Sequence, residues 1–338
     1  MDALKAIAII AVILIHTITA WASHYQTPNT WQYNVNLIIN QLLRFSVPLF
    51  VALSGYGLAK GYPDGVGLNY FWRRCIKILP PFLFWSTIFY ILNLLYPNFI
   101  GINYLGQPAV KTILLGRADY HLYFVPMIFG LYLVYPILLF LVKKFPLFSV
   151  LCSLFIEILW YWHISNLTEI PTNWNNIFPD AQQYLNPLSW IFYFVLGIYL
   201  SVTSKKIPAV LGLCSVLGSL LIILWSMFDL LGAGMDIIVA TRFTRLPVLF
   251  YATSFIILFL GRNFSNKIFD HLGKISFQTY LLHTLIIRLV FAYLPTKDLG
   301  VIITTLLIIA GSFTSALILT WAYSRLIEIP KKLICLTH

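Results

Sequence analysis

The class of fold is decided by the segment DALKAIAIIAVILIHTITAW, residues 2–21. Apart from its charged start, its few hydroxyl side chains and His16, it is apolar. At 1.5 Å per residue, a helix of this length spans about 30 Å, the thickness of the hydrocarbon core of a bilayer. An ionisable side chain at that depth costs about 2.5–3.5 kcal/mol on insertion scales, so it usually persists because it has a use. His16 is therefore the first candidate functional residue.

Composition extends this interpretation to the whole chain. Of its 338 residues, 60% are hydrophobic and 10% are charged, and the mean hydropathy is +0.85. These values exclude a soluble globular protein. The long apolar runs favour helices, because a barrel would show short alternating strands. We predict an all-α polytopic membrane helix bundle of about ten transmembrane helices, forming a single integral-membrane domain over residues 1–338. The predicted spans are approximately 4–22, 34–58, 79–96, 122–142, 147–164, 187–203, 207–228, 246–261, 275–294 and 300–324.

Basic residues predict the orientation of these spans. When the loops are assigned alternately to the two sides, fifteen Lys and Arg residues fall on the side of the N-terminus and five on the other. Because cytoplasmic loops are enriched in Lys and Arg, we expect both termini to be cytoplasmic. The net charge of +11 then follows from topology and attraction to anionic membrane lipid, and no nucleic acid is needed to explain it.

The first segment has an alternative interpretation as a secretory signal. Ala20 and Ala22 offer small residues around a cleavage point. The start of the segment is only weakly positive, however, and nine further spans follow it. We therefore interpret it as a retained first helix.

The four cysteines predict neither a disulfide nor a metal site. Cys75 and Cys335 fall on the predicted cytoplasmic side, whereas Cys152 and Cys214 fall within spans. No pair is thus placed in an oxidising compartment.

Lys5 and His16 are placed on one face of the first helix by their spacing. Eleven residues at 100° each give three turns plus about 20°, and an axial separation of about 16 Å. If Lys5 lies at the cytoplasmic boundary, His16 lies near the bilayer midplane. Burial favours its neutral form, which can accept a proton. A histidine that only bonds to a neighbouring helix is an equally weighted alternative.

A basic cluster, Arg73, Arg74 and Lys77, precedes the third predicted span. Arg74 and Lys77 stand three residues apart and share a helix face. Pro80 and Pro81 are typical of a first helical turn, so we expect the helix N-terminus to lie beside these cations. That combination suits phosphate binding. Anchoring at the cytoplasmic boundary is the more common role of such clusters.

The second span, LLRFSVPLFVALSGYGLAK, carries residues that modify a helix. Pro48 predicts a kink, whereas Gly55 and Gly57, next to Ser54, allow close backbone approach by another helix.

Arg44 lies in the same span and is deep enough to need a partner. Glu157 is the only acidic residue within a predicted span. We therefore predict a buried Arg44–Glu157 ion pair in preference to a catalytic role for either residue.

Two further polar groups are candidates for a site. Ser276, Tyr280 and His283 form a stripe along one face of the ninth span, which either lines a hydrated cavity or joins helices. His121 and Tyr123 begin the fourth span, where they form an interfacial belt or, less commonly, an active site. Asp119 in front of them is a candidate helix cap.

Several stretches, taken in order, resemble one family. The chain resembles the acyltransferase-3 family of bacterial multi-pass membrane proteins, which modify surface or secreted glycans. The resemblance runs over essentially the whole chain. The matching stretches are DALKAIAIIAVILIH (2–16), FVALSGYGL (50–58), RRCIKILPP (73–81), HLYFVPMIFGLYLVYP (121–136), FYFVLGIYL (192–200), SFQTYLLH (276–283) and IEIP (327–330).

The resemblance implies an enzyme of the bacterial plasma membrane with no permanently bound cofactor and no metal. Its co-substrate would be cytoplasmic acyl-CoA, most commonly acetyl-CoA, and its acceptor a hydroxyl of a lipid-linked or exported glycan. His16 corresponds to the family's essential histidine and Lys5 to its basic partner. Arg74 and Lys77 match an Arg-x-x-Arg pair. Lys77 replaces the second arginine and loses bidentate phosphate recognition.

The resemblance leaves the chemistry open at two points. His16 would either deprotonate the acceptor hydroxyl or accept the acyl group first. The oxyanion stabiliser is unassigned, with Tyr280 and His283 as candidates. Oligomeric state is also left open. The residues expected at the acceptor site or lining a cavity are Arg44, Ser54, His121, Tyr123, Glu157, Tyr280 and His283.

A different class of function is also compatible with ten kinked spans that contain polar residues. A carrier or flippase for lipid-linked sugars would have these features, but it also predicts inverted repeats and paired broken helices, which we do not find in the sequence. A purely structural assembly partner would explain neither His16 nor the basic cluster.

Overall fold

The structure is a computed structural model that describes residues 1–28, 30–63, 68–97, 108–166, 184–204, 208–260, 262 and 265–335. Within these ranges the regular elements are helices, as predicted. In chain order they are α1 (Asp2–Tyr25), α2 (Trp31–Leu42), α3 (Ser46–Gly61), α4 (Leu68–Leu95), α5 (Ala109–Leu114), α6 (Phe124–Lys144), α7 (Pro146–Asn166), a 3₁₀ turn (Pro187–Ser189), α8 (Ile191–Thr203), α9 (Ala209–Gly232), α10 (Ile237–Thr241), α11 (Leu246–Leu260), α12 (Lys267–Lys274), α13 (Ser276–Tyr293) and α14 (Thr296–Cys335).

Each predicted span coincides with a helix or a helix pair. Among the described residues, eight helical segments are long and apolar enough to cross a membrane, or nine if α12 and α13, bent by 75°, form one span. α8 coincides with the sixth predicted span but has only 13 residues, about 20 Å of helix. The prediction of an all-α polytopic bundle is confirmed. The cytoplasmic position of the termini stays a prediction.

The chain forms two compact units. Unit one contains Met1–Asn36 and Ser265–His338, and unit two contains Leu37–Phe264. Unit one therefore joins the first helix to the last three. The single-domain assignment stays a prediction.

In unit one, the start of α1 is held by α12. The Ala3 N–H donates to Asp270 Oδ1 at 3.0 Å, and the Ser265 hydroxyl donates to Asp270 Oδ2 at 2.7 Å. A helix N-terminus leaves four N–H groups without intrahelical partners, so the carboxylate acts as a cap from another helix. The Ser265 hydroxyl, together with the Ala3 N–H, lowers the pKa of Asp270. Gly273 permits this contact, because a Cβ there would lie 1.8 Å from the Asp2 carbonyl oxygen.

In unit two, the predicted kink of the second span is a complete break. The chain leaves α2 at Leu42 and re-enters a helix at Ser46, which places Arg44 at the break. Pro48 is then in the first turn of α3, where its missing N–H has no intrahelical partner to lose. The Tyr251 hydroxyl donates to the carbonyl of Leu42 at 2.7 Å.

The predicted close approach at Gly55 is confirmed and identifies α8 as the partner of α3. A Cβ on Gly55 would lie 2.2 Å from the carbonyl oxygen of Phe194, and one on Gly197 would lie 2.0 Å from that of Ala52. The two helices therefore pack backbone against backbone, as small residues permit in membranes.

We expect Gly197→Ala to lower the melting temperature of the purified protein in detergent. The added methyl group overlaps a backbone atom that cannot rotate away, and such overpacking typically costs about 1–3 kcal/mol. Gly218→Ala in α9 is the matched control, because no heavy atom lies within 4 Å of its added Cβ. The control should melt at the same temperature as the wild type or higher. Equal melting temperatures for both variants would contradict the close packing of α3 on α8.

Candidate functional site

The first candidate site lies in unit one, around His16. α1 is unbroken from Asp2 to Tyr25, so His16 is in its interior, and its side chain is half-buried. The His16 ring lies 5.4 Å from the ring of His283, measured between centroids. The Tyr280 ring lies 6.0 Å from that of His283. The structure thus brings three of the predicted site residues together, from segments more than 250 positions apart in the sequence.

The proton on His283 is fixed by a backbone contact. His283 is fully buried, and its Nδ1 lies 2.7 Å from the carbonyl oxygen of Tyr280. A carbonyl oxygen can only accept, so Nδ1 carries the hydrogen. In the neutral ring, Nε2 is consequently the atom with the lone pair. The polar stripe of α13 therefore presents a histidine of defined tautomer to His16. Ser276, the third member, is buried at the start of α13.

Lys5 has a partner that the sequence analysis did not assign. Its Nζ lies 2.7 Å from Oδ1 of Asp2, and both side chains are about one third exposed. The spacing of three residues is typical of helical ion pairs and could have revealed it. Because α1 is continuous, Lys5 remains about 16 Å along the axis from His16. Lys5 therefore belongs to the end of the helix and does not contact the imidazole.

The basic cluster of unit two differs from its prediction in one respect. α4 begins at Leu68, and Pro80 and Pro81 lie inside it. Arg74 and Lys77 are therefore in its second and third turns, and the expected helix N-terminus beside them is wrong. A proline inside a helix removes one backbone hydrogen bond, which an apolar helix of this length tolerates in a membrane.

The three cations of this cluster have different surroundings. Arg73 and Lys77 are exposed, whereas Arg74 is half-buried. The cluster thus combines two solvated charges with one arginine that is partly shielded from solvent. Such a surface can bind a polyanion without the help of a helix dipole.

The predicted Arg44–Glu157 ion pair is wrong. Glu157 is fully buried and accepts hydrogen bonds from the Tyr161 hydroxyl and from the Phe192 N–H, each at 2.9 Å. Phe192 is the second residue of α8, so the carboxylate caps the free N–H groups of that helix. Arg44 instead lies over the ring of Phe243, with Cζ 4.2 Å from the centroid.

The outer predicted residues of unit two also acquire defined partners. Asp119 does not cap α6, whose N-cap is Tyr123. Its Oδ1 accepts from the Tyr120 N–H at 2.7 Å and lies 3.6 Å from Nδ1 of His121. Tyr123 is half-buried, and its ring lies 5.7 Å from that of Tyr184. Ser54 donates to the carbonyl of Phe50 within its own helix, at 2.9 Å.

Comparison with known proteins shows the family to which the chain belongs. The sequence model of one family, described as an acyltransferase domain, matches residues 1–325. The chain belongs to the acyltransferase-3 family. The resemblance predicted from the ordered motifs is thereby confirmed, and the chain is a multi-pass membrane protein of the acyltransferase type.

Two relatives illustrate the range of this family. A Bacillus subtilis (strain 168) protein named as a membrane-bound acyltransferase is 24% identical over 304 residues, which cover 84% of this chain and 80% of the relative. A Staphylococcus aureus (strain MSSA476) protein named as a poly-β-1,6-N-acetyl-D-glucosamine export protein is 23% identical over 307 residues, 86% of this chain and 82% of the relative. No solved structure matches the chain.

The revised role of Glu157 gives a test that separates a helix cap from an ion pair. We expect Glu157→Leu to lower the melting temperature of the purified protein, because it leaves the buried Phe192 N–H without an acceptor, at a cost of about 1–3 kcal/mol. Glu157→Gln should retain most of the stability, since its amide oxygen can still accept.

A double-mutant cycle that combines Glu157→Leu with Arg44→Leu is the control. The two effects should add to within about 0.5 kcal/mol, as independent sites do. A coupling above about 1.5 kcal/mol would instead support the Arg44–Glu157 ion pair.

Proposed function

We propose that this chain transfers an acyl group, most commonly acetyl, from cytoplasmic acyl-CoA to a hydroxyl group of a cell-surface or lipid-linked glycan at the bacterial plasma membrane. The observation that carries the proposal is the position of His16. It is an ionisable residue in the interior of an apolar helix, and it lies beside the buried His283 in a chain that belongs to an acyltransferase family.

His16 acts on the acceptor in this proposal. Its half-buried imidazole removes the proton from the hydroxyl oxygen as that oxygen attacks the thioester carbonyl, or it accepts the acyl group first. The bond from the carbonyl carbon to sulfur breaks, and CoA leaves as its thiol once the sulfur has taken up the proton that came from the hydroxyl. His283, whose Nδ1–H is committed to the Tyr280 carbonyl, is a positioning residue. In the neutral His283 ring, Nε2 therefore carries a lone pair, and the ring has no second N–H to donate.

The donor's phosphates are assigned to the basic cluster of unit two. Two exposed cations and one half-buried arginine suit the several negative charges of a CoA. Lys5 is assigned a supporting role at the start of α1, because its ammonium group pairs with Asp2 three turns from the imidazole.

Glycan export is the second candidate function, and it is favoured by the name of the Staphylococcus aureus relative, which is that of an export protein. The two functions differ in what the surface glycan loses. A transferase changes the acyl content of the glycan, whereas an exporter changes its amount.

The proposal is tested by mass spectrometry of glycan released from cells with the wild-type gene, a deletion or His16→Ala. We expect the deletion and His16→Ala to remove the acyl groups while the amount of surface glycan and the abundance of the variant stay at wild-type levels. Acylation that persists in either strain contradicts the transferase. Loss of the glycan itself would favour export.

Arg74→Ala tests the donor assignment separately. Loss of one charge-assisted contact, worth about 1.5–3 kcal/mol, should raise the half-saturating acyl-CoA concentration about 10- to 150-fold in membranes that contain the protein. Lys144→Ala, an exposed cation stacked near Phe140 and Phe145, is the control and should leave that concentration unchanged. Equal half-saturation in wild type and Arg74→Ala would remove Arg74 from the donor site.

A further inference from the structure

Arg44 is a buried cation for which the described residues supply no carboxylate partner. Its side chain lies at the break between α2 and α3, and the residue is only 8% exposed. Its guanidinium stacks on Phe243, and its Nε has no hydrogen-bond partner in the described ranges. A cation–π contact stabilises a buried charge by much less than burial of that charge costs. The stacking alone therefore does not account for the charge.

A second buried guanidinium comes from the same segment as the ring on which Arg44 stacks. Arg245 is 7% exposed and lies two residues after Phe243. It donates to the carbonyl of Ala240 and, at 2.5 Å, to the hydroxyl of Ser226. In the part of the chain that the structure describes, neither arginine has a carboxylate within ion-pair distance. Two like charges in a medium of low dielectric constant favour an anion between or beside them.

Further aromatic side chains continue from the Phe243 ring on which Arg44 stacks. The Tyr184 ring lies 6.4 Å from that of Phe243 and 5.7 Å from that of Tyr123, and the Trp190 ring lies 6.2 Å from that of Phe243. Tyr123, Tyr184 and Phe243 are half-buried, so the group reaches the surface. An aromatic lining with a few convergent charged groups is typical of ligand sites. We call Arg44, Tyr123, Tyr184, Trp190, Phe243 and Arg245 the Arg44 cluster.

The Arg44 cluster lies at the end of α3 that is opposite Lys60 and Lys143. Arg44 precedes the start of α3, and Lys60 lies near its end, about 24 Å further along the axis. Lys143 donates to the Pro63 carbonyl just beyond that end. With the termini cytoplasmic, as the basic residues predict, the Arg44 cluster faces away from the cytoplasm, where an exported glycan is available.

We propose that the Arg44 cluster binds an anionic oxygen group of the acceptor, between or beside its two guanidinium groups and against its aromatic rings. The group is either the diphosphate of a lipid-linked sugar or the carboxylate of an acidic sugar. Both present paired oxygens that a guanidinium binds in bidentate fashion. This assignment rests on the proposed function, because it names the substrate of the same transferase.

The ligand-free protein provides the first test. If Arg44 binds a ligand, its buried charge destabilises the ligand-free protein. Arg44→Met should then melt at the same temperature as the wild type or higher. If Arg44 serves the fold, removal of its charge should lower the melting temperature by several degrees. The second result would overturn the proposal.

Binding of defined probes to the purified full-length protein in detergent provides the second test. The anionic probes are farnesyl diphosphate and a hexuronic acid oligosaccharide, and their neutral counterparts are farnesol and the corresponding hexose oligosaccharide. At 100 times its dissociation constant, a ligand adds about 2.7 kcal/mol, which for a protein of this size raises the melting temperature by at least about 3 °C. We expect one anionic probe, and not its neutral counterpart, to do so. The probe that acts identifies the source of the anion.

Arg44→Gln and Arg74→Gln form a reciprocal pair of variants. Arg44→Gln should lose the shift caused by the anionic probe and keep the shift caused by acetyl-CoA, whereas Arg74→Gln should show the opposite pattern. The proposal is overturned if neither anionic probe outperforms its neutral counterpart, or if Arg44→Gln responds as the wild type does. Should Arg44→Gln fail to fold because a polar amide is buried, Arg44→Met from the first test takes its place in the probe comparison. A wild type that responds to the anionic probe but not to acetyl-CoA would count against the proposed function alone.

Discussion

The structure depends on one constraint, which is that hydrocarbon offers no hydrogen bonds. Every polar group within a span must find its partner inside the protein or be retained for a ligand. The buried Glu157 satisfies the constraint by capping α8, and Tyr251 satisfies it by binding the Leu42 carbonyl at the helix break. The Nδ1–H of His283 satisfies it by donating to the Tyr280 carbonyl. Arg44 and its neighbour Arg245 leave a positive charge that the described residues do not neutralise, and for that reason we assign them to a substrate.

Features with a local cause could be predicted from the sequence. Apolar length specified the spans, and Gly55 predicted close packing because a missing Cβ is useful only against another backbone. The order of the motifs predicted the family. Pro48 predicted a distortion but not its size, since the break also depends on Tyr251, which lies about 200 residues away in the sequence. The sequence could not identify α8 as the partner of α3, because many apolar helices offer similar surfaces.

Predictions of long-range partners were wrong for a different reason. Charge complementarity suggested that Glu157 pairs with Arg44, but a helix terminus offers uncharged N–H groups that satisfy a carboxylate equally well. Composition does not distinguish these partners. At the candidate site, periodicity placed Tyr280 and His283 on one helix face, and only the fold showed that His16 lies beside them. Arg245 and Phe243 were missed because they lie at the start of a span, where basic and aromatic residues are common.

The central claim is that the His16 imidazole accepts the proton of the acceptor hydroxyl during acyl transfer. Its most direct test is the rate of acyl transfer by the purified protein in lipid vesicles, measured with saturating acetyl-CoA and a glycan acceptor, for wild type and His16→Gln. A lost general base predicts a rate about 10²- to 10⁴-fold lower, with acetyl-CoA binding unchanged in the same vesicles. A rate for His16→Gln within about threefold of the wild type, far below the effect of a general base, would contradict the account.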